Sequence, residues 1–447
     1  AGLGNVGKIP ELRKRILFTL AMLAVYRLGV FVSTPGVDVE ALRRMFDTGD
    51  GTLFGMVNMF SGGSLENFSI FTLGIMPYIS VSIIMQFLTP AIPALESLKK
   101  EGAAGQRIIT RYTRQGTILL ALFQGFMIAR GLEASSGLVL NPGWQFRLTT
   151  MITLTAGTTF IMWLGEQISE RGIGNGMSII IFAGIIARMP QVLISTVALQ
   201  RTGELSWFQV FFLLAFCVAT IAAIVYVERS YRKIPVQYPR RQVAMGSDKM
   251  GPPQYMPLKV NMAGVLPPIF AYAIMVLPAT VASFMPENEA LQDIMAYISP
   301  QSAGYYVILV ALVVACAYYC TAVIYNPEEV AENLKKNGAF IPTVRPGKET
   351  ADYLYAVTNR LTFWGALYIS LVCIIPQVVY FNIGVTSFAY VFGGTAILIA
   401  VGVTLDTASQ IESHVVARNY EAFMSKSSKS RGGPGSMSQM RTKVLKR

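Results

Sequence analysis

The chain has 447 residues, of which 53% are apolar and only 14% charged, and its mean hydropathy is +0.48. A soluble protein carries about 25% charged residues to cover its surface against water, so much of this surface faces lipid and a three-domain soluble architecture is excluded. The formal net charge of +12 raises nucleic acid as a partner, and the placement of the charges decides that question.

A helix crosses the hydrocarbon with about 20 apolar residues, because lipid offers the backbone no outside hydrogen-bond partner. Ten stretches qualify in chain order, at about 16–35, 68–89, 115–132, 148–168, 177–197, 207–227, 264–285, 304–325, 361–381 and a glycine-rich 386–405. The first is not followed by a small-residue cleavage site and is expected to be a retained span. An even number places both termini on one side. With the N-terminus inside, 30 of the 37 Lys and Arg fall on the inner side, the bias that marks cytoplasmic loops. Both termini are therefore expected in the cytoplasm, and the positive charge is mostly a topology signal.

Between the first two spans, residues 53–67 are apolar, interrupted by Gly62-Gly63, and too short to span. They are either a loop on the membrane surface or a short helix tucked back among the spans. Pro77, Pro267, Pro268 and Pro278 are expected to kink spans two and seven, since each removes a backbone donor. The inner segments 229–262 and 327–360 are long, basic and punctuated by Pro and Gly, and loops this long are usually functional or disordered. The tail from about 425, SKSSKSRGGPGSMSQMRTKVLKR, is basic and of low complexity. It is expected to be disordered and drawn to anionic membrane lipids.

Catalytic chemistry is hard to find. Gly2, Gly4 and Gly7 spell GxGxxG but have no strand before them, so they are no dinucleotide fingerprint. Cys217, Cys316, Cys320 and Cys373 all lie in apolar runs without CxxC spacing, and His414 is the one histidine. Both facts speak against a metal site. Arg27 is the clear mid-span charge, while Glu166, Glu228 and Asp406 lie near inner span ends. A lone arginine without a partner acid makes a poor proton relay, so snorkelling or a structural hydrogen bond is expected.

Five segments then carry a resemblance. KIPELRKRILFTL (8–20), NMFSGGSLENFSIFTLGIMPYISVSIIMQFLTP (58–90), ERGIGNGMSIIIFAGI (170–185), LKVNMAGVLPPIF (258–270) and NPEEVAENLKKNGAFIPTVRPG (326–347) occur in that order. The chain resembles the SecY family, pore-forming subunits of the bacterial protein-translocation channel, over about 8–424. The resemblance implies an all-α polytopic fold of ten transmembrane helices. Two pseudo-symmetric halves, 1–205 and 206–408, would surround a central pore, followed by a cytoplasmic tail, 409–447. It implies a passive conduit in the bacterial cytoplasmic membrane that passes unfolded polypeptide and opens sideways into lipid, with no cofactor.

On this resemblance the pore ring falls on Ile75, Ile79, Met177, Ile181, Ile269 and Ile399, where Met177 replaces the more usual isoleucine. By themselves these residues would be plain packing. The plug falls on Asn58, Met59, Phe60, Ser61, Gly62, Gly63, Ser64, Leu65, Glu66 and Asn67, which favours the tucked-in helix. The lateral gate, between spans two and seven, falls on Ser80, Gln86, Asn261 and Leu277, with a mutual hydrogen bond expected between the amides of Gln86 and Asn261. Arg240, Arg241 and Arg345 fall on the docking surface for the SecA motor ATPase and the ribosome. The basic cluster usual after Arg241 is replaced by AMGSDKMGPPQ. The implied companions are SecE, SecG, preproteins and their signal sequences. A secondary transporter would instead need acidic or histidine sites at mid-membrane, and a membrane enzyme a clustered polar triad.

Overall fold

The computed structural model describes residues 10–48, 61–134, 137–237, 254–283, 302–384, 388 and 392–431. Each of the ten predicted spans is met by a helix. The N-terminal ones are α1 (Pro10–Val30), α3 (Met76–Ala91), α5 (Ala103–Ala134), α6 (Trp144–Arg171) and α7 (Gly176–Arg201). They are joined by short α2 (Val39–Thr48) and α4 (Pro93–Lys100). The C-terminal ones are α8 (Trp207–Glu228), α9 (Leu266–Ser283), α10 (Ala303–Ile324), α12 (Lys348–Ile383) and α13 (Gly394–Arg431), with α11 (Pro327–Lys336) between α10 and α12. Seven described helices are long and apolar enough to cross a membrane, and an eighth qualifies if α3 and α4, bent by 96°, count as one span.

Two helices fall short of that measure for identifiable reasons. α1 carries Glu11, Arg13, Lys14 and Arg15 in its first turns, and the apolar part of α9 is only Leu266–Met275. The proline expectation is corrected in part. Pro77, Pro267 and Pro268 sit in the first turn of α3 or α9, where the missing N–H would be unbonded anyway. Pro278 alone of the four lies inside a helix. Capping fixes other starts: Ser206 and Gln209 form a reciprocal box at α8, and Asn326 caps α11.

The described parts of the inner loops, 229–237, 254–262 and 327–360, are structured. β1 (Tyr231–Val236) pairs antiparallel with β2 (Gln254–Lys259), with Tyr231 opposite Lys259 and Val236 opposite Gln254. Gln237 then exchanges two backbone hydrogen bonds of 2.9 Å with Phe340 of the second loop. Ile234, Val236 and Leu258 pack with Ala339, Ile341 and Leu354, so the two loops form one platform. The first residues of the tail, 425–431, differ from expectation because α13 continues as helix to Arg431, and 432–447 lie outside the described residues.

Candidate pore and plug site

α7 supplies the frame of the site. Asn175 caps it, its Oδ1 accepting from the Met177 N–H at 3.1 Å. Met177, Ile181, Gly184 and Arg188 then recur at steps of four, three and four residues, the spacing that keeps side chains on one helical face. α3 contributes Ile75, at its N-cap, and Ile79 one turn on. α9 contributes Ile269 and α13 contributes Ile399.

All six expected ring residues belong to one apolar cluster, in which Ile75, Ile79, Ile181 and Ile399 are buried and Met177 and Ile269 half-buried. Phe71, Ile83, Ile161, Ile168, Ile180, Ile185 and Phe270 complete its interior. Cys316 and Cys320 also pack into it, as free buried thiols.

The segment expected to be the plug meets this cluster. Asn58, Met59 and Phe60 lie outside the described residues. Ser61 to Leu65 are buried, so the segment is tucked in, yet residues 61–75 run as turns. The helical expectation fails for that part because Gly62 and Gly63 take φ of +68° and +86°, conformations that a right-handed helix does not use. Gly62 is needed twice over, since a Cβ there would lie 2.9 Å from the Gly184 Cα. Inside the segment, the Ser64 hydroxyl donates to the Phe71 carbonyl at 2.8 Å, and the Asn67 amide donates to the Gly63 carbonyl at 3.2 Å.

Four side chains from the surrounding helices hold the segment. The Tyr26 hydroxyl donates to the Ser61 carbonyl at 3.2 Å, and Arg27 Nη1 donates to the Gly62 carbonyl at 2.8 Å. Arg43 donates to the Asn67 side-chain oxygen, and Arg188 forms an ion pair with Glu66. The mid-span Arg27 thus has the structural hydrogen bond expected of it, and its guanidinium also lies 5.1 Å above the Phe31 ring. Sequence reasoning missed Arg188, which also lies well inside a predicted span. The signal available was its place on the stripe of Met177, Ile181 and Gly184.

At the expected gate, Ser80 and Asn261 are buried, and the described residues say nothing of the Leu277 side chain. The mutual amide bond is not formed. Asn261 Nδ2 donates instead to Glu228 Oε1 at 2.7 Å and to the Gly264 carbonyl at 3.0 Å. Its Oδ1 accepts from the Gly264 N–H at 3.1 Å. Partners at the end of α8 and just before α9 therefore occupy this amide. α3 meets α10 through another pair: the Tyr319 hydroxyl donates to the Gln86 carbonyl at 2.8 Å, and the Phe87 and Tyr319 rings stack with centroids 4.0 Å apart.

On the inner platform Arg345 is exposed, and its carbonyl accepts from Thr350 at 2.8 Å. Arg240 and Arg241 lie outside the described residues. Among the described residues, no group of three or more His, Cys, Asp and Glu can hold a metal ion.

Comparison with known proteins follows this geometry. The family model described as SecY matches residues 69–408. The chain is 46% identical to the protein translocase subunit SecY of Thermus thermophilus over 425 residues, which is 94% of this chain and 96% of that one. It is 43% identical to the SecY of Escherichia coli K12 over 426 residues, covering 94% and 95%. The fold is similar to a solved structure described as that of a protein conducting channel, with TM-score 0.65 and 15% identity over 93% of this chain and 98% of that one. Sec61 in a canine ribosome-channel complex from the endoplasmic reticulum gives TM-score 0.61 at 15% identity, with the same coverage.

Proposed function

The chain belongs to the SecY family, and on that premise we propose that the collar of Ile75, Ile79, Met177, Ile181, Ile269 and Ile399 is the seal of its pore. It is a multi-span membrane protein and a subunit of a protein-conducting channel, not an enzyme. The observation that carries the seal is the meeting of all six side chains in one apolar cluster from four separate helices. Such a collar offers an ion nothing to replace its hydration, so it resists conduction by dewetting. The same side chains yield to an unfolded chain of any sequence, because apolar contact is non-directional. Met177 fits the task, since its flexible thioether fills irregular gaps.

Residues 58–67 act as the plug over the outer side of the collar, with residues 1–205 and 206–408 as the two halves around the pore. Their lateral gate runs along α3, α9 and α10. Ser80, Gln86 and Leu277 lie on it, and Tyr319 closes it from α10. Asn261 sets the start of α9 through Glu228 and Gly264. Opening this seam releases membrane segments into lipid. Both termini lie in the cytoplasm, and the membrane is the bacterial cytoplasmic membrane.

The inner platform is the docking surface for the ribosome and SecA, through Arg345, Arg240 and Arg241. Arginine suits it because a planar fork binds phosphate and carboxylate at two points. SecE and SecG are the companion subunits, and signal-bearing preproteins are the substrates. The test is planar-bilayer conductance of the purified complex, intact and without residues 58–67. A tight intact channel that leaks on deletion supports the reading. If both forms stay silent while a labelled solute is taken up, the chain is a transporter and the reading falls.

A further inference from the structure

The side chains that hold the plug segment differ in kind. Tyr26 and Arg27 donate to the backbone carbonyls of Ser61 and Gly62, contacts that any residue at those two positions would offer. Arg43 donates to a neutral amide oxygen on Asn67. Only Arg188 meets a charge. Its partner Glu66 is the one acidic residue in the described part of the plug, and the two side chains are 16% and 28% exposed. Among the described residues this is the ion pair that ties the segment to a transmembrane helix.

The pair sits at the end of the α7 stripe, one turn beyond Gly184, whose backbone the Gly62 backbone touches. Ring residues, plug seat and charge therefore share one face of one helix. Movement of the plug off that face breaks the pair, because Arg188 stays on α7 while Glu66 moves with the segment.

We infer that the Glu66–Arg188 ion pair is a latch that sets how strong a signal must be before the plug leaves, which makes the two residues specificity-determining for translocation. The inference rests on the plug reading above. With the plug seated, each charge is compensated. With the plug displaced, Glu66 leaves with it and the pair is separated. Neutralising either partner removes an attraction that exists only in the seated state, so the balance shifts toward the displaced state by the strength of that attraction. Exchanging the two charges keeps the pair and the balance.

The test compares the complex with Glu66→Gln, with Arg188→Gln, and with the exchange Glu66→Arg plus Arg188→Glu, at matched amounts of assembled complex. The readouts are resting ion conductance and export of a reporter with a defective signal sequence. Each single substitution is expected to raise both by about tenfold, equivalent to ~1.4 kcal/mol, and the exchange to restore both to near the native level. Singles as tight and stringent as the native complex overturn the latch, and so does an exchange as permissive as the singles. Deletion of residues 58–67 serves as the control. A deletion that leaks beside tight singles leaves the plug reading standing and removes the latch, whereas a deletion that stays tight removes both.

Discussion

Two apolar clusters meet along α7, α9, α10 and α13. The peripheral one joins Leu213 and Ile224 of α8 with Tyr272, Tyr305, Leu309, Val313, Ile369 and Cys373, and its Phe388 and Phe392 rings stack at 4.4 Å. The central one is built largely of isoleucine, takes its members from more elements, and ends against the buried turns that begin at Ser61. α9 shows the division within a single helix, with Tyr272 and Met275 on the peripheral side and Ile269, Phe270 and Ala273 on the central side. At one end of the central cluster Tyr26, Arg27 and Arg188 grip the segment proposed as the plug. The contrast teaches that burial alone does not tell a core from a gate. A core is meant to stay shut, whereas a gate needs a non-directional seal and a directional fastening that lets go at once.

Substitutions can break or sharpen that contrast. The largest effect is expected in the peripheral cluster, where Leu309 is fully buried. Leu309→Ala should cost about 2–5 kcal/mol of stability through the cavity it leaves, measured by thermal unfolding in detergent, while the folded fraction keeps a tight resting channel. In the central cluster, Ile181→Asn puts an unpartnered buried amide, costing roughly 1–3 kcal/mol, in place of an apolar contact. Unlike Leu309→Ala, it should raise resting ion conductance in planar bilayers. A tight Ile181→Asn channel would erase the distinction between the two clusters.

Gly62→Ala comes next. It combines a left-handed backbone with a 2.9 Å approach to Gly184, a strain of about 1–2 kcal/mol that falls on the seated plug. A cysteine placed in the plug should then react faster with an externally added thiol reagent. The smallest effect is Tyr319→Phe, which removes one hydrogen bond to Gln86, worth about 1 kcal/mol. It should modestly raise export of a reporter with a weakened signal while leaving resting conductance unchanged, which separates gate from plug.

Much of this was legible in the sequence, for physical reasons that also explain the rest. Hydropathy and charge bias specify ten spans, because lipid enforces length and polarity on a crossing helix. Hydropathy alone could not single out the proposed collar, since Ile79 or Ile399 has the same character as Ile369 in the peripheral core; that assignment rests on the family motifs. The β1–β2 hairpin went unnoticed because only Ile234 and Val236 of its first strand are buried, too short a pattern against a basic background. The expected bond between Gln86 and Asn261 failed for a related reason. Matching two amides by type ignores nearer partners, and Asn261 finds Glu228 at the end of α8 and Gly264 just before α9. Arg188 was readable from its stripe with Ile181 and Gly184, but its partner Glu66 lies 122 positions away in sequence, and only the fold brings them together.

The central claim is that the polypeptide passes through the isoleucine-rich cluster and not beside it. The direct measurement is disulfide trapping between a translocation-arrested chain carrying one cysteine and single-cysteine variants of the channel, with the four native cysteines replaced. The account predicts adducts at Ile79, Ile181 and Ile399 from one stretch of the arrested chain, and none at Leu213 or Ile369. Adducts at Leu213 or Ile369, with the collar positions unreactive, would contradict it.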